Sequence, residues 1–201
     1  MISPDQRFAS DNASGLCPEA RDALIAANEG AVAGYGDDPF TAGARAGLRR
    51  LFETECEAFF VFNGTAANAL ALAALCRPHE SVLCHEEAHV HTDECAAPEF
   101  FGGGLKLVPL SGAAGKIDPK AIAGVAARGH GVHSSKPGVL SLTQATEWGT
   151  AYSPAEIRLL CARAGEHGLR IHMDGARFAN AVAASAAAPA ELTWRAGVDV
   201  L

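Results

Sequence analysis

From residue 58 onward, short runs of apolar and β-branched residues alternate with longer Ala- and Leu-rich runs. The stretches "AFFVFN" (58–63), "SVLC" (81–84), "LKLVPL" (105–110), "GVLSLT" (138–143) and "LRIHM" (169–173) are short and nearly continuous in apolar residues, which predicts strands buried on both faces. Between them, "GTAANALALAALC", "DPKAIAGVAARG" and "SPAEIRLLCARAGEHG" read as helices. In the last of these, Ser153 and Glu156 form an S-x-x-E capping box, and Gly168 stands where a left-handed C-terminal residue is wanted. Before the first strand, "TAGARAGLRRLFETE" is an amphipathic helix entered through the polar turn "YGDDPF". Strands alternating with helices predict an α/β fold, a mostly parallel sheet flanked by helices. No internal repeat interrupts the pattern. "ELTWRAGVDVL" heads into one more strand and stops without a turn or cap, so an incomplete sheet, and a chain that is part of something longer, is expected.

Composition adds limits. A chain of 201 residues, 49% hydrophobic and 19% charged, is long enough for one sizeable core. The formal net charge is −7 with no basic block, so neither nucleic acid nor an anionic membrane is an expected partner. Small molecules are. No apolar run approaches the ~20 residues of a bilayer span, and the first residues lack a basic-then-apolar leader pattern. The six cysteines form no C-x-x-C pair, and a cytoplasmic location is the expectation.

In parallel sheets ligands gather beyond the carboxyl ends of the strands, so the residues there carry the chemistry. After "AFFVF" come Asn63, Gly64 and Thr65 at the mouth of a helix, where free backbone N–H groups and a hydroxyl suit a phosphate, or simply make a capped turn. No Walker loop or dinucleotide fingerprint is present. The cluster "HEEAHVHTDEC" (85–95) is dense in metal-ligand types and reads H-E-x-x-H by letter, but it follows a strand end and lacks the helical run that motif needs; no metal is expected. Asp174 ends the strand "LRIHM". A carboxylate there costs desolvation energy unless a cation or donor meets it. Arg177 is one such partner; the protonated ring nitrogen of a cofactor is another, with Gly64 and Thr65 holding that cofactor's phosphate and His89 stacked on its ring.

"GYGDDPF", "FVFNGTAANALAL", "EEAHVHTDE", "VLSLTQATEWGTAYSPAEI" and "HMDGARFANA", in this order, resemble the low-specificity L-threonine aldolase/phenylserine aldolase group, among the β-eliminating lyase-like, fold-type-I pyridoxal phosphate enzymes. The resemblance covers essentially the whole chain. It implies a fold-type-I PLP-dependent transferase-like large domain, incomplete at the C-terminus, with residues 1–201 forming the N-terminal segment and most of the PLP-binding large domain. By residue, it implies that Asp174 pairs with the pyridinium nitrogen, that His89 stacks on the ring, and that Gly64 and Thr65 bind the phosphate. Arg177 lies beside O3′ and the substrate carboxylate, which Ser10 helps hold. His133 handles the proton of the substrate β-hydroxyl, and Tyr35 reaches a neighbouring subunit's site, implying a homodimer or homotetramer.

The implied reaction is that of an aldehyde-lyase cleaving L-threonine or a related β-hydroxy-α-amino acid, such as phenylserine, to glycine and an aldehyde. The family's cofactor-anchoring lysine belongs just beyond "RAGVDVL", and its small C-terminal domain beyond that. The chain's own lysines, Lys106, Lys116, Lys120 and Lys136, stand in no such setting. The alternative reading is therefore a catalytically inactive remnant or a non-catalytic binding module of the same fold, and a third is a related fold-type-I enzyme of β-elimination or side-chain transfer.

Overall fold

The β-branched and leucine-rich runs form a four-stranded, all-parallel sheet in the order β2-β1-β3-β4, with β1 at Glu80–His85, β2 at Lys106–Leu110, β3 at Lys136–Thr143 and β4 at Arg170–Asp174. These elements come from a computed structural model that describes residues 14–128 and 131–201. The chain divides into two units, residues 1–50 with 54–57, and residues 51–53 with 58–201.

The first unit holds α1 (Pro18–Ala27) and most of α2 (Pro39–Phe52). Asp38 starts α2, accepting hydrogen bonds from the Thr41 N–H at 2.8 Å and the Thr41 hydroxyl at 2.7 Å. Those donors hold its carboxyl below the usual carboxylate range.

In the second unit each crossover carries helix: α4 (His89–Thr92) and α5 (Ala97–Phe101) between β1 and β2, α6 (Pro119–Ala126) before β3, and α7 (Pro154–Gly165) before β4. Ahead of β1 lies α3 (Gly64–Leu75), and after β4 comes α8 (Phe178–Ser185). Strand side chains alternate between two apolar layers. Leu83, Leu140, Leu142, Ile171 and Met173 join Ile122, Ile157 and Leu160 on the α6–α7 side. Val82, Cys84 and Val139 join Leu72 and Leu75 on the other, with α3. β3 is buried from Pro137 to Thr143, as a central parallel strand requires. The expected capping box of α7 forms, Ser153 and Glu156 each bonding the other's backbone N–H, and Gly168 adopts φ +72°.

Two expectations turn out differently. "AFFVFN" is not a strand: 58–63 pairs with nothing in the sheet, and Phe59 and Phe62 are 84% and 90% exposed. An apolar run specifies a strand only where a neighbour offers its N–H and C=O groups, and the described sheet offers that segment none. "VDVL" contributes an isolated parallel bridge between Val200 and His172, with Met173 N–H donating to Val200 C=O at 2.8 Å. Val200 thus adds one isolated bridge on the side of β4 away from β3. Among the described residues no helix is long and apolar enough to cross a membrane.

Candidate active site at the carboxyl edge of the sheet

The register aligns Thr143 with Asp174, so β3 and β4 end side by side, and His85 ends β1 at the same edge. Asp174 is buried, and its two oxygens have different partners. Oδ1 accepts from the Ala176 N–H at 3.0 Å, the turn into α8. Oδ2 accepts from the Asn68 side-chain amide at 2.9 Å. Asn68 sits one turn inside α3, on the face shared with Thr65. The Asn63 side chain caps that helix by accepting from the Ala66 N–H at 2.8 Å. Among the described residues, the N–H groups of Gly64 and Thr65 and the Thr65 hydroxyl meet no protein acceptor, and a Cβ built on Gly64 would have open space around it. The first turn of α3 therefore presents free donors and a helix-dipole end beside a buried carboxylate.

His89 begins α4, and its Nδ1–H donates to Glu94 Oε1 at 2.9 Å. The same oxygen accepts from the Asn68 amide at 2.7 Å. A chain of four groups results, His89, Glu94, Asn68 and Asp174, drawn from α4, the turn after it, α3 and β4. Burial pulls the His89 imidazole down, but the Glu94 hydrogen bond and charge, with Asp174 and Asp93 adding, leave it above its ordinary value.

Arg177 is not the partner of Asp174. Its guanidinium binds Glu147 Oε1 at 3.1 Å and the Ala145 carbonyl at 3.2 Å. Glu147 Oε1 also accepts from the His89 backbone N–H at 3.0 Å, which ties the loop after β3 to α4.

The structure thus brings together Gly64, Thr65, His89, Asp174 and Arg177. It does not bring His133 to them: that residue is exposed in the turn before β3, at the opposite end of the eight-residue strand whose carboxyl end meets Asp174. Tyr35 is exposed in the first unit at φ 62°, and Ser10 lies outside the described residues. The histidines of "HEEAHVHTDEC" diverge, His85 to the Gly112 carbonyl and His91 to the Glu86 carbonyl, and no group of three metal-ligand side chains converges among the described residues.

Asn68, Glu94 and Glu147 are the site residues that motif reading did not assign. Asn68 had a signal, being the one polar side chain between Ala66 and Leu75 of an otherwise apolar helix. Glu94 and Glu147 had none: both partners of Glu147 lie 30 or more positions away, and Glu94, though five residues from His89, meets Asn68 26 positions away.

The family model for beta-eliminating lyases matches residues 7–201. Over all 201 residues the chain is 55% identical to a low specificity L-threonine aldolase of Pseudomonas aeruginosa, and spans 58% of that protein's length. It is 31% identical over 187 residues to a low specificity L-threonine aldolase of Saccharomyces cerevisiae, spanning 47% of it. A solved threonine aldolase from Leishmania major superposes with a TM-score of 0.84 at 29% identity, over 90% of this chain and 54% of that one.

Proposed function

This chain belongs to the beta-eliminating lyase family, and from that premise we propose that it is the cofactor-binding part of a pyridoxal-phosphate-dependent aldehyde-lyase. The substrate class is L-threonine and related β-hydroxy-α-amino acids such as phenylserine, cleaved to glycine and an aldehyde. The observation that carries the reading is the buried Asp174 carboxylate, met at one edge of the sheet by a donor-rich helix start and an imidazole. Names borne by the relatives support the substrate class.

The residues fit the cofactor. The free Gly64 and Thr65 donors suit a phosphate, and Asp174, which forms no ion pair among the described residues, suits a protonated ring nitrogen. Bound there, pyridoxal phosphate supplies the sink for the electron pair released when the Cα–Cβ bond breaks. Asp174 holds the proton on the ring nitrogen that makes such a sink effective. Arg177, kept in place by Glu147 and the Ala145 carbonyl, offers its remaining N–H groups to the substrate carboxylate. The β-hydroxyl proton needs a base. His133 of the same chain is too distant, whereas His89, whose Nδ1 is engaged by Glu94, has Nε2 to offer while it stacks on the ring.

None of the four lysines meets Asp174. Lys106 and Lys136 start their strands at the far edge, Lys116 binds Glu156 at 2.8 Å, and Lys120 lies at the start of α6. The covalent anchor therefore comes from outside these residues. As parts of the same reading, we assign the protein to the cytoplasm on its six unpaired cysteines, and to a homodimer or homotetramer with Ser10 and Tyr35 at the substrate site.

Two measurements test the reading. Pyridoxal phosphate titrated into the protein is expected to bind, and Asp174→Ala to weaken that binding at least about tenfold, as loss of a charge-assisted contact does; equal binding by the variant removes Asp174 from its role. In the full-length protein, release of glycine and aldehyde from L-threonine and phenylserine is expected. Absence of both products refutes the activity.

A further inference from the structure

The least exposed charged group of the site is Glu94. Its side chain has no solvent exposure, and its Oε1 accepts from both His89 Nδ1 at 2.9 Å and the Asn68 amide at 2.7 Å. Its Oε2 is buried with no partner among the described residues. A carboxylate taken out of water and left half unsatisfied is costly, so a lone structural role explains it poorly. What it does have is a directional hold on two groups that both matter at Asp174.

We propose that Glu94 is a positioning residue of the site: its carboxylate fixes His89 in the Nδ1–H tautomer, leaving Nε2 as proton acceptor, and through Asn68 it fixes the Asp174 carboxylate. The inference rests on the reading of His89 and Asp174 given above. The logic is that of a carboxylate behind an imidazole, which orients the ring, selects the tautomer and raises its basicity toward the reacting side. The second arm is specific to this fold. The Asn68 amide donates both of its hydrogens to carboxylates, one to Glu94 and one to Asp174 at 2.9 Å, so the two anions are held by one neutral bridge. The charged groups facing His89 are Glu94 and Asp93 from the segment after it, Asp174 from β4, and Glu147 with its Arg177 partner from the loop after β3. Of these only Glu94 touches the ring.

Glu94→Gln in the full-length protein keeps the shape and removes the charge. In the cofactor-free form, the pH titration and ring ¹⁵N shifts of His89 read the effect directly by NMR. The expected result is a titration midpoint about one pH unit lower than wild type, the scale of losing an adjacent opposite charge, and loss of the pure Nδ1–H tautomer. A midpoint and tautomer unchanged in the variant overturn the proposal. If the variant fails to fold, wild-type His89 decides: it must titrate above a histidine in an unstructured peptide and sit as Nδ1–H, and either failure is equally fatal. With cofactor present, kcat is expected to fall about tenfold, with the acid limb of its pH profile moving to lower pH and KM little changed. Failure of wild type to bind pyridoxal phosphate would sink the functional reading while leaving the His89 titration result intact, so the two failures are distinguishable.

Discussion

His172 lies two residues before Asp174 on the same face of β4, fully inside, with its Nδ1 2.9 Å from the Ser141 hydroxyl. Burial pushes the imidazole down to about 4 from the ordinary 6.5, against a smaller opposing pull from Asp174. Between those values the unfolded chain binds a proton that the folded one refuses. Stability from this residue is therefore complete above about pH 6.5 and lost as pH falls toward 4, by on the order of 3 kcal/mol. Urea midpoints at pH 7 and pH 4.5 should converge in His172→Asn relative to wild type, and an unaltered pH slope would remove His172 as the cause. A second residue-level outcome concerns the bridge. Asn68→Asp places a third carboxylate between Asp174 and Glu94, and at pH 7 should cost more than Asn68→Ala, which forfeits about 1–3 kcal/mol of donor satisfaction. Thermal unfolding of both variants checks the order.

At the scale of elements, local chemistry was legible where it was self-contained. The α7 capping box and Gly168 need only neighbours within a few residues, and both are as the letters imply. Ser153→Ala should cost about 1 kcal/mol by chemical unfolding, the usual worth of an N-cap. Gly112 is a different case: a Cβ there would collide with the Lys116 backbone carbonyl and come within 2.9 Å of the Asp118 N–H nitrogen. Gly112→Ala must shift the loop between β2 and α6, and its unfolding midpoint should drop well beyond that of Ser153→Ala. Nothing in "LSGAAGK" announces this, because the collision is with a turn folding back. "AFFVFN" failed in the opposite direction, its apolar run being as strand-like as "SVLC" but without a partner strand in the described sheet.

For the whole molecule, the four lysines stand away from Asp174, and the outer edge of β4 is met among the described residues by Asp199 and Val200. With pyridoxal phosphate added, the isolated chain is expected to release no aldehyde from L-threonine at an enzyme-like rate, measured by coupled reduction; rapid turnover would show that an anchoring lysine is dispensable. The exposed Phe59 and Phe62 also predict self-association. Phe59→Ser/Phe62→Ser should sediment at lower mass than wild type at the same concentration, and identical profiles would acquit this surface.

The amino-acid sequence by itself determined most of the alternation of strands and helices, the parallel sheet, the strand end at which Asp174 stands and the helix start at Gly64 and Thr65, because periodicity, caps and apolar runs act over a few residues. Only the tertiary structure decided that Arg177 answers Glu147 instead of Asp174, that His133 lies at the wrong end of β3, and that Glu94 and Asn68 join His89 to Asp174. Apart from His89–Glu94, five positions apart, the hydrogen bonds among these cross 26 to 106 positions of chain, and a hydrogen bond between residues so far apart is set by how layers pack, which no local pattern encodes.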